Sequence, residues 1–71
     1  MDEHKKRVVA ERDELQKKID DLYEFLGTVP YRASSEIEQD LLMRQYAMMI
    51  AYCSILAQRI AGFEKTNHLE I

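Results

Sequence analysis

Gln45, Tyr52 and Arg59 stand seven residues apart, so a helix carries an amide, a phenol and a guanidinium along one line. They lie in the most apolar stretch of the chain, where Leu41, Met48 and Ile55 recur with the same period. A polar group shut away from water there costs about 1–3 kcal/mol unless it finds a partner. Two readings follow. The three residues set the register of an oligomer, as single polar core residues do in coiled coils. Alternatively, they line a pocket between protomers, where aromatic rings and guanidinium groups hold an anionic planar ligand such as a nucleotide. Arg12 joins the set. In a hairpin turning near Val29 to Arg32 it comes level with Tyr52 within about a turn, and can stack on the ring or bond its hydroxyl.

Tyr31 and Arg32 lie in the connection, where side chains are free to meet partners. An aromatic beside an arginine can stack a base and hold a phosphate, or Tyr31 can plug the end of the hairpin core. Met43, Met48 and Met49 read as packed core before they read as an adaptable binding surface. His4 and His68 are near opposite ends and read as solvated, so no metal site is expected, and no cofactor. Enzymatic chemistry has little support. The chain lacks a nucleophile elbow, a Gly-rich phosphate loop and a Cys/His pair at useful spacing. Asp20–Asp21 and Glu36/Asp40 belong on helix surfaces or a first turn, where acids meet water or the helix dipole.

The elements that position these residues are two helices. The first is expected from about Glu3 to Leu26, with Val8, Leu15, Ile19, Leu22 and Leu26 forming a heptad seam and Arg12 its one polar member. The connection spans 27–35. Gly27 falls where a left-handed C-cap belongs, Pro30 pushes Val29 towards extended geometry, and Ser35 with Glu38 makes a capping box. The second helix is expected over about 36–61. Gly62 reads as its C-cap, with Phe63 folding back onto the last turn, and a frayed tail occupies 64–71.

That second helix decides the architecture. Leu42, Tyr46, Met49, Cys53, Leu56, Ile60 and Phe63 step by four and three without interruption. Beside this seam run Leu41, Met48 and Ile55, with Ala47, Ile50, Ala51 and Ala57 widening the apolar arc. One antiparallel partner helix covers one seam only. A helix apolar over most of its circumference is buried on more than one side, and soluble monomers rarely expose a large contiguous apolar patch. The fold expected is all-α: an antiparallel two-helix hairpin assembling into a helical-bundle homo-oligomer, a dimer or higher. Leu41, Met48, Ile55 and Tyr52 form the interface.

Size and charge agree. A 71-residue chain buries only about 60% of its unfolded surface and usually needs a staple, a metal or a partner chain. One Cys rules out an internal disulfide. The net charge of −3 gives no footprint for duplex nucleic acid. No apolar run follows the basic start, so no signal peptide is read. Arg44 and Arg59 flank the run Tyr46 to Leu56 too closely for a membrane span, and a soluble, intracellular protein is expected.

The run Glu11-Arg12-Asp13-Glu14-Leu15 through Ile19, Leu22 and Phe25-Leu26-Gly27 resembles the first half of a widespread family of very small tailed-phage and prophage proteins. These are labelled as related to a crAss-like phage protein. Glu38-Gln39, Leu41-Leu42, Gln45, Met49, Tyr52, Leu56, Arg59-Ile60 and Phe63 resemble its second half. Pro30-Tyr31 departs from the family pattern, which has a Phe without a preceding Pro. The resemblance implies a non-enzymatic phage accessory protein in the cytoplasm of a bacterial host, acting by binding against host defence. Its sharp form is a sponge that captures a cyclic oligonucleotide immune signal between protomers, with Arg59, Tyr52, Arg12, Tyr31, Arg32 and Gln45 as contacts. The alternative is a structural or regulatory protein whose apolar face docks on a host protein, such as a defence enzyme, or on a virion protein.

Overall fold

The computed structural model describes the backbone of residues 2–69 and the side chains of residues 2–63. It is an antiparallel hairpin of two long helices, α1 (Glu3–Leu26) and α3 (Glu36–Leu69), joined through a single helical turn, α2 (Val29–Arg32). No strand occurs among the described residues.

Each helix start has a visible cause. Asp2 caps α1 by accepting from the Lys5 backbone N–H at 2.9 Å. That bond holds the Asp2 carboxyl below its ordinary pKa. Ser35 caps α3, its hydroxyl accepting from the Glu38 N–H at 3.1 Å, which is the serine half of the expected box. Gln39 ties the first turn of α3 back to the connection through Ser34 O at 2.9 Å and Arg32 O at 3.2 Å.

The turn differs from expectation at two residues. Gly27 is not left-handed: its φ is −91°, and α1 ends through a Gly27 N–H to Glu24 carbonyl bond at 3.1 Å. Val29 is not extended. It opens α2 with Pro30 behind it, while Thr28 takes the extended conformation as cap. Proline is tolerated in a first helical turn because the N–H it lacks has no partner there anyway. Thr28 serves both helices, its hydroxyl donating to Phe25 O at 2.6 Å and accepting from the Tyr31 N–H at 3.4 Å.

The far end differs too. Gly62 does not stop α3, and Phe63 does not fold back. The helix runs on to Leu69, through most of the tail expected to fray, and residues 70 and 71 lie outside the described residues. A glycine weakens a helix by about 1 kcal/mol without breaking it. The Phe63 ring also has a reason to stay helical, because the Lys5 ammonium sits 5.5 Å from its centroid.

The core lies in the seam between α1 and α3. Val8, Ile19, Cys53 and Leu56 are buried, with Leu56 at 0% and Cys53 at 8% exposure. Leu15, Leu22, Leu26, Leu42, Tyr46, Met49, Ile60 and Phe63 are half-buried along it. Register is fixed along its length. Cys53 Sγ lies 3.6 Å from Gln16 Oε1, and the Tyr23 and Tyr46 rings are 6.2 Å apart.

On the outward side of α3 the picture reverses. Leu41 is 51% exposed, Met48 67% and Ile55 54%. The packed-core reading of the methionines holds for Met49 alone, since Met43 and Met48 face out. Within α3, Glu36–Phe63 is long and apolar enough, by length and composition, to cross a membrane, and only 11% of its 18-residue apolar window is buried in the hairpin. The single chain is therefore under-buried. A compact monomer of this mass exposes about 4600 Å², whereas the hairpin exposes 5646 Å². Its radius of gyration is 16.4 Å, against about 11 Å for a compact domain of this length.

Candidate functional site

Of the six polar and aromatic residues singled out by sequence, Tyr52 and Arg59 share one line of α3, and the fold sets a seventh against Tyr52. The Tyr52 hydroxyl donates to the Glu11 carboxylate of α1. Arg12 was expected in that place. It lies half-buried at the neighbouring position, and its Nε donates to Asp13 Oδ1 at 2.8 Å instead. The register is as read to within one residue, but consecutive helical positions point about 100° apart. Glu11 therefore faces Tyr52, and Arg12 faces the other side of the seam.

The Glu11–Tyr52 pair has its own electrostatics. The hydrogen bond to Glu11 raises the Tyr52 pKa above the ordinary tyrosine value, helped by partial burial and by the Glu11 charge. The Arg59 guanidinium, one heptad along, opposes that rise. An acid, a phenol and a guanidinium thus share one flank of the hairpin, bordering Met48 and Ile55. Gln45 continues the line towards the turn, where its amide reaches the Met49 thioether at 3.9 Å.

Tyr31 and Arg32 lie elsewhere. Tyr52 is about 24 Å along α3 from the turn at 1.5 Å per residue. Tyr31 is half-buried, edge-on to Phe25 with centroids 6.1 Å apart. Arg32 donates to Gly27 O at 3.3 Å. Both are engaged in holding the turn, so within one chain the six candidates do not form a single pocket.

Arg12 belongs to a second feature that sequence reading missed. An open groove of about 460 Å³ runs along the opposite flank, lined by Arg12, Gln16, Asp20, Tyr23, Tyr46 and Ile50 among others. The signal was available. Gln16, Asp20 and Tyr23 follow Arg12 at helical spacing, but they read as a solvated face until Tyr46 is seen to lean on Tyr23. Among the described residues no three His, Cys, Asp or Glu side chains converge as a metal set. The side chain of His68 lies outside the described residues.

A family model described as Sequestin matches residues 2–62, from the α1 cap to Gly62, and takes in all six candidates. The chain belongs to the Sequestin family. It is also 40% identical over 58 residues to an uncharacterised 7.5 kDa protein from the denB–rIIB intergenic region of Enterobacteria phage T4. That match covers 82% of this chain and 91% of its relative. The phage relative agrees with the resemblance to small phage proteins, and neither match carries the crAss-like label. No solved structure matches the chain.

Proposed function

We propose that this Sequestin-family chain is a non-enzymatic phage accessory protein that binds and sequesters a ligand between copies of itself, in the cytoplasm of a bacterial host. The observation that carries the reading is the exposed Leu41–Met48–Ile55 stripe running beside the Glu11–Tyr52–Arg59 flank. A second copy that covers the stripe walls in the flank, and turns an open surface into a pocket with an aromatic ring and a guanidinium. The family name, Sequestin, points the same way.

The ligand proposed is a cyclic nucleotide immune signal. Tyr52 offers a ring for a base, and Arg59 a planar fork for a phosphate. Arg12, on the opposite flank, and Tyr31 and Arg32, at the turn, contribute only through a neighbouring copy. A bilayer is a poorer cover for α3. The apolar run Tyr46 to Leu56, interrupted by Ser54, is shorter than the roughly 20 residues a span takes, with Arg44 and Arg59 close on either side.

Melting the protein with a panel of cyclic di- and trinucleotides tests this. A ligand bound only to the native state stabilises by mass action, about 2.7 kcal/mol at a hundred times its Kd, which is a rise of about 10–20 °C for a domain of this size. Arg59→Ala should remove the rise without dissociating the oligomer. No rise across the panel would end the nucleotide reading. Pull-down of one host or virion protein, released by changing Ile37 or Met43, would favour the docking alternative.

A further inference from the structure

The polar line on α3 is only half-partnered within one chain. Glu11 accepts from Tyr52, yet a carboxylate has room for further donors. Gln45 has the opposite lack, because its amide N–H meets a thioether, which is a weak acceptor. Gln45 and Tyr52 are a heptad apart on the same helix, about 10 Å in rise, so they do not meet within the chain.

The stripe beside them has a symmetry that supplies the meeting. Leu41 and Ile55 are equidistant from Met48, so the apolar pattern reads alike from either end. An antiparallel copy placed on a two-fold axis at Met48 sets each Leu41 against an Ile55 and Met48 against its counterpart. Such an axis also keeps the same flank of each α3 together. The polar line then borders its own copy in reverse, and Gln45 of the second copy comes within about 1.5 Å in height of Tyr52.

The area favours this occupant. The hairpin exposes roughly 1000 Å² more than a compact monomer of its mass, and a standard interface takes about 800 Å² from each partner. We infer that two copies pair antiparallel through the outward stripe of α3 about Met48, and that Gln45 of the second copy completes the Glu11–Tyr52–Arg59 site by donating to Glu11. The sequestration reading enters only for what the completed site holds, while the pairing stands on the stripe.

Cysteine cross-linking of the full chain under mild oxidation reads the register. Met48→Cys should link to itself, because the axis brings the two positions within the roughly 7 Å between Cα atoms that a disulfide tolerates. Leu41→Cys and Ile55→Cys should each fail alone, their copies lying about 21 Å apart, and should link when mixed. Peptide mapping separates these links from Cys53, which is buried. Self-linking of Leu41→Cys, absence of the mixed link, or a monomer by light scattering would overturn the pairing.

Dimer affinity reads Gln45. Gln45→Ala should weaken the dimer about tenfold, the scale of one charge-assisted hydrogen bond. In a Glu11→Ala background the same change should have little effect. Equal losses in both backgrounds would overturn the role of Gln45. All three stripe positions are exposed, so circular dichroism can confirm that each variant keeps its helices. If the cross-linked dimer shows the predicted pattern but gains no melting temperature from any nucleotide, the sequestration reading fails and the pairing survives.

Discussion

The two sides of α3 are built from the same kinds of residue and meet opposite fates. Towards α1, Leu56 and Cys53 are sealed in a seam that also takes Ile60 and Met49. Away from it, Met48 and Ile55 keep more than half their surface in water. The lesson concerns what an apolar heptad means. It marks a surface that seeks cover, and the hairpin supplies cover for one seam only. The inward side makes this chain fold, and the outward side is the one through which we propose that it associates.

Substitutions sharpen this contrast, and the largest effect falls on the seam. Leu56→Ala should cost about 2–5 kcal/mol in chemical unfolding, because it empties the most buried site of a small core. The same truncation at Ile55 should cost the hairpin itself no more than about 0.5 kcal/mol and appear instead as a weaker oligomer. If Ile55→Ala unfolds the chain at a concentration where Met48→Glu remains folded, the division between folding side and associating side is wrong.

Smaller effects mark the ends. Removing the Ser35 cap by Ser35→Ala should cost about 1 kcal/mol. Gly62→Ala should add about 1 kcal/mol, since Gly62 is helical and open space surrounds the position where a Cβ would stand. Loss of stability there would restore Gly62 as a true helix stop. Gly27→Ala should be neutral to slightly stabilising. Its φ is negative, and the nearest atom to an added Cβ is Glu24 O at 3.6 Å.

The smallest effect is a titration. Tyr52 is held protonated by Glu11, so its folded-state pKa lies above the unfolded value of 10.0. The stability this contributes is fully present below pH 10.0 and is lost as pH rises through the raised folded pKa. Ultraviolet titration should find one of the four tyrosines ionising late, and Glu11→Gln should bring it back towards the others. A late tyrosine that ignores Glu11→Gln would break the assignment of that hydrogen bond.

Much of this was legible in the sequence, for a physical reason. The steps of four and three through Leu42, Tyr46, Met49, Cys53 and Leu56 name both the helix and its buried side, because burial and periodicity are one signal. The exposed stripe was legible in the same way. The partner of Tyr52 was not. Register placed α1 opposite it to within one residue, but Glu11 and Arg12 differ by 100° in direction, which spacing alone does not resolve. Gly27 and Pro30 misled because each has two uses. A glycine at a helix end does not have to be left-handed, and a proline that ends one helix also starts the next.

Light scattering coupled to size exclusion, across a wide range of protein concentration, tests most directly whether the outward stripe is covered by copies of the chain. A mass of twice 8.4 kDa or a higher multiple, falling to the single-chain value in Met48→Glu, is expected. A folded 8.4 kDa species that persists at the highest concentration, with Met48 and Ile55 open to solvent, would contradict it.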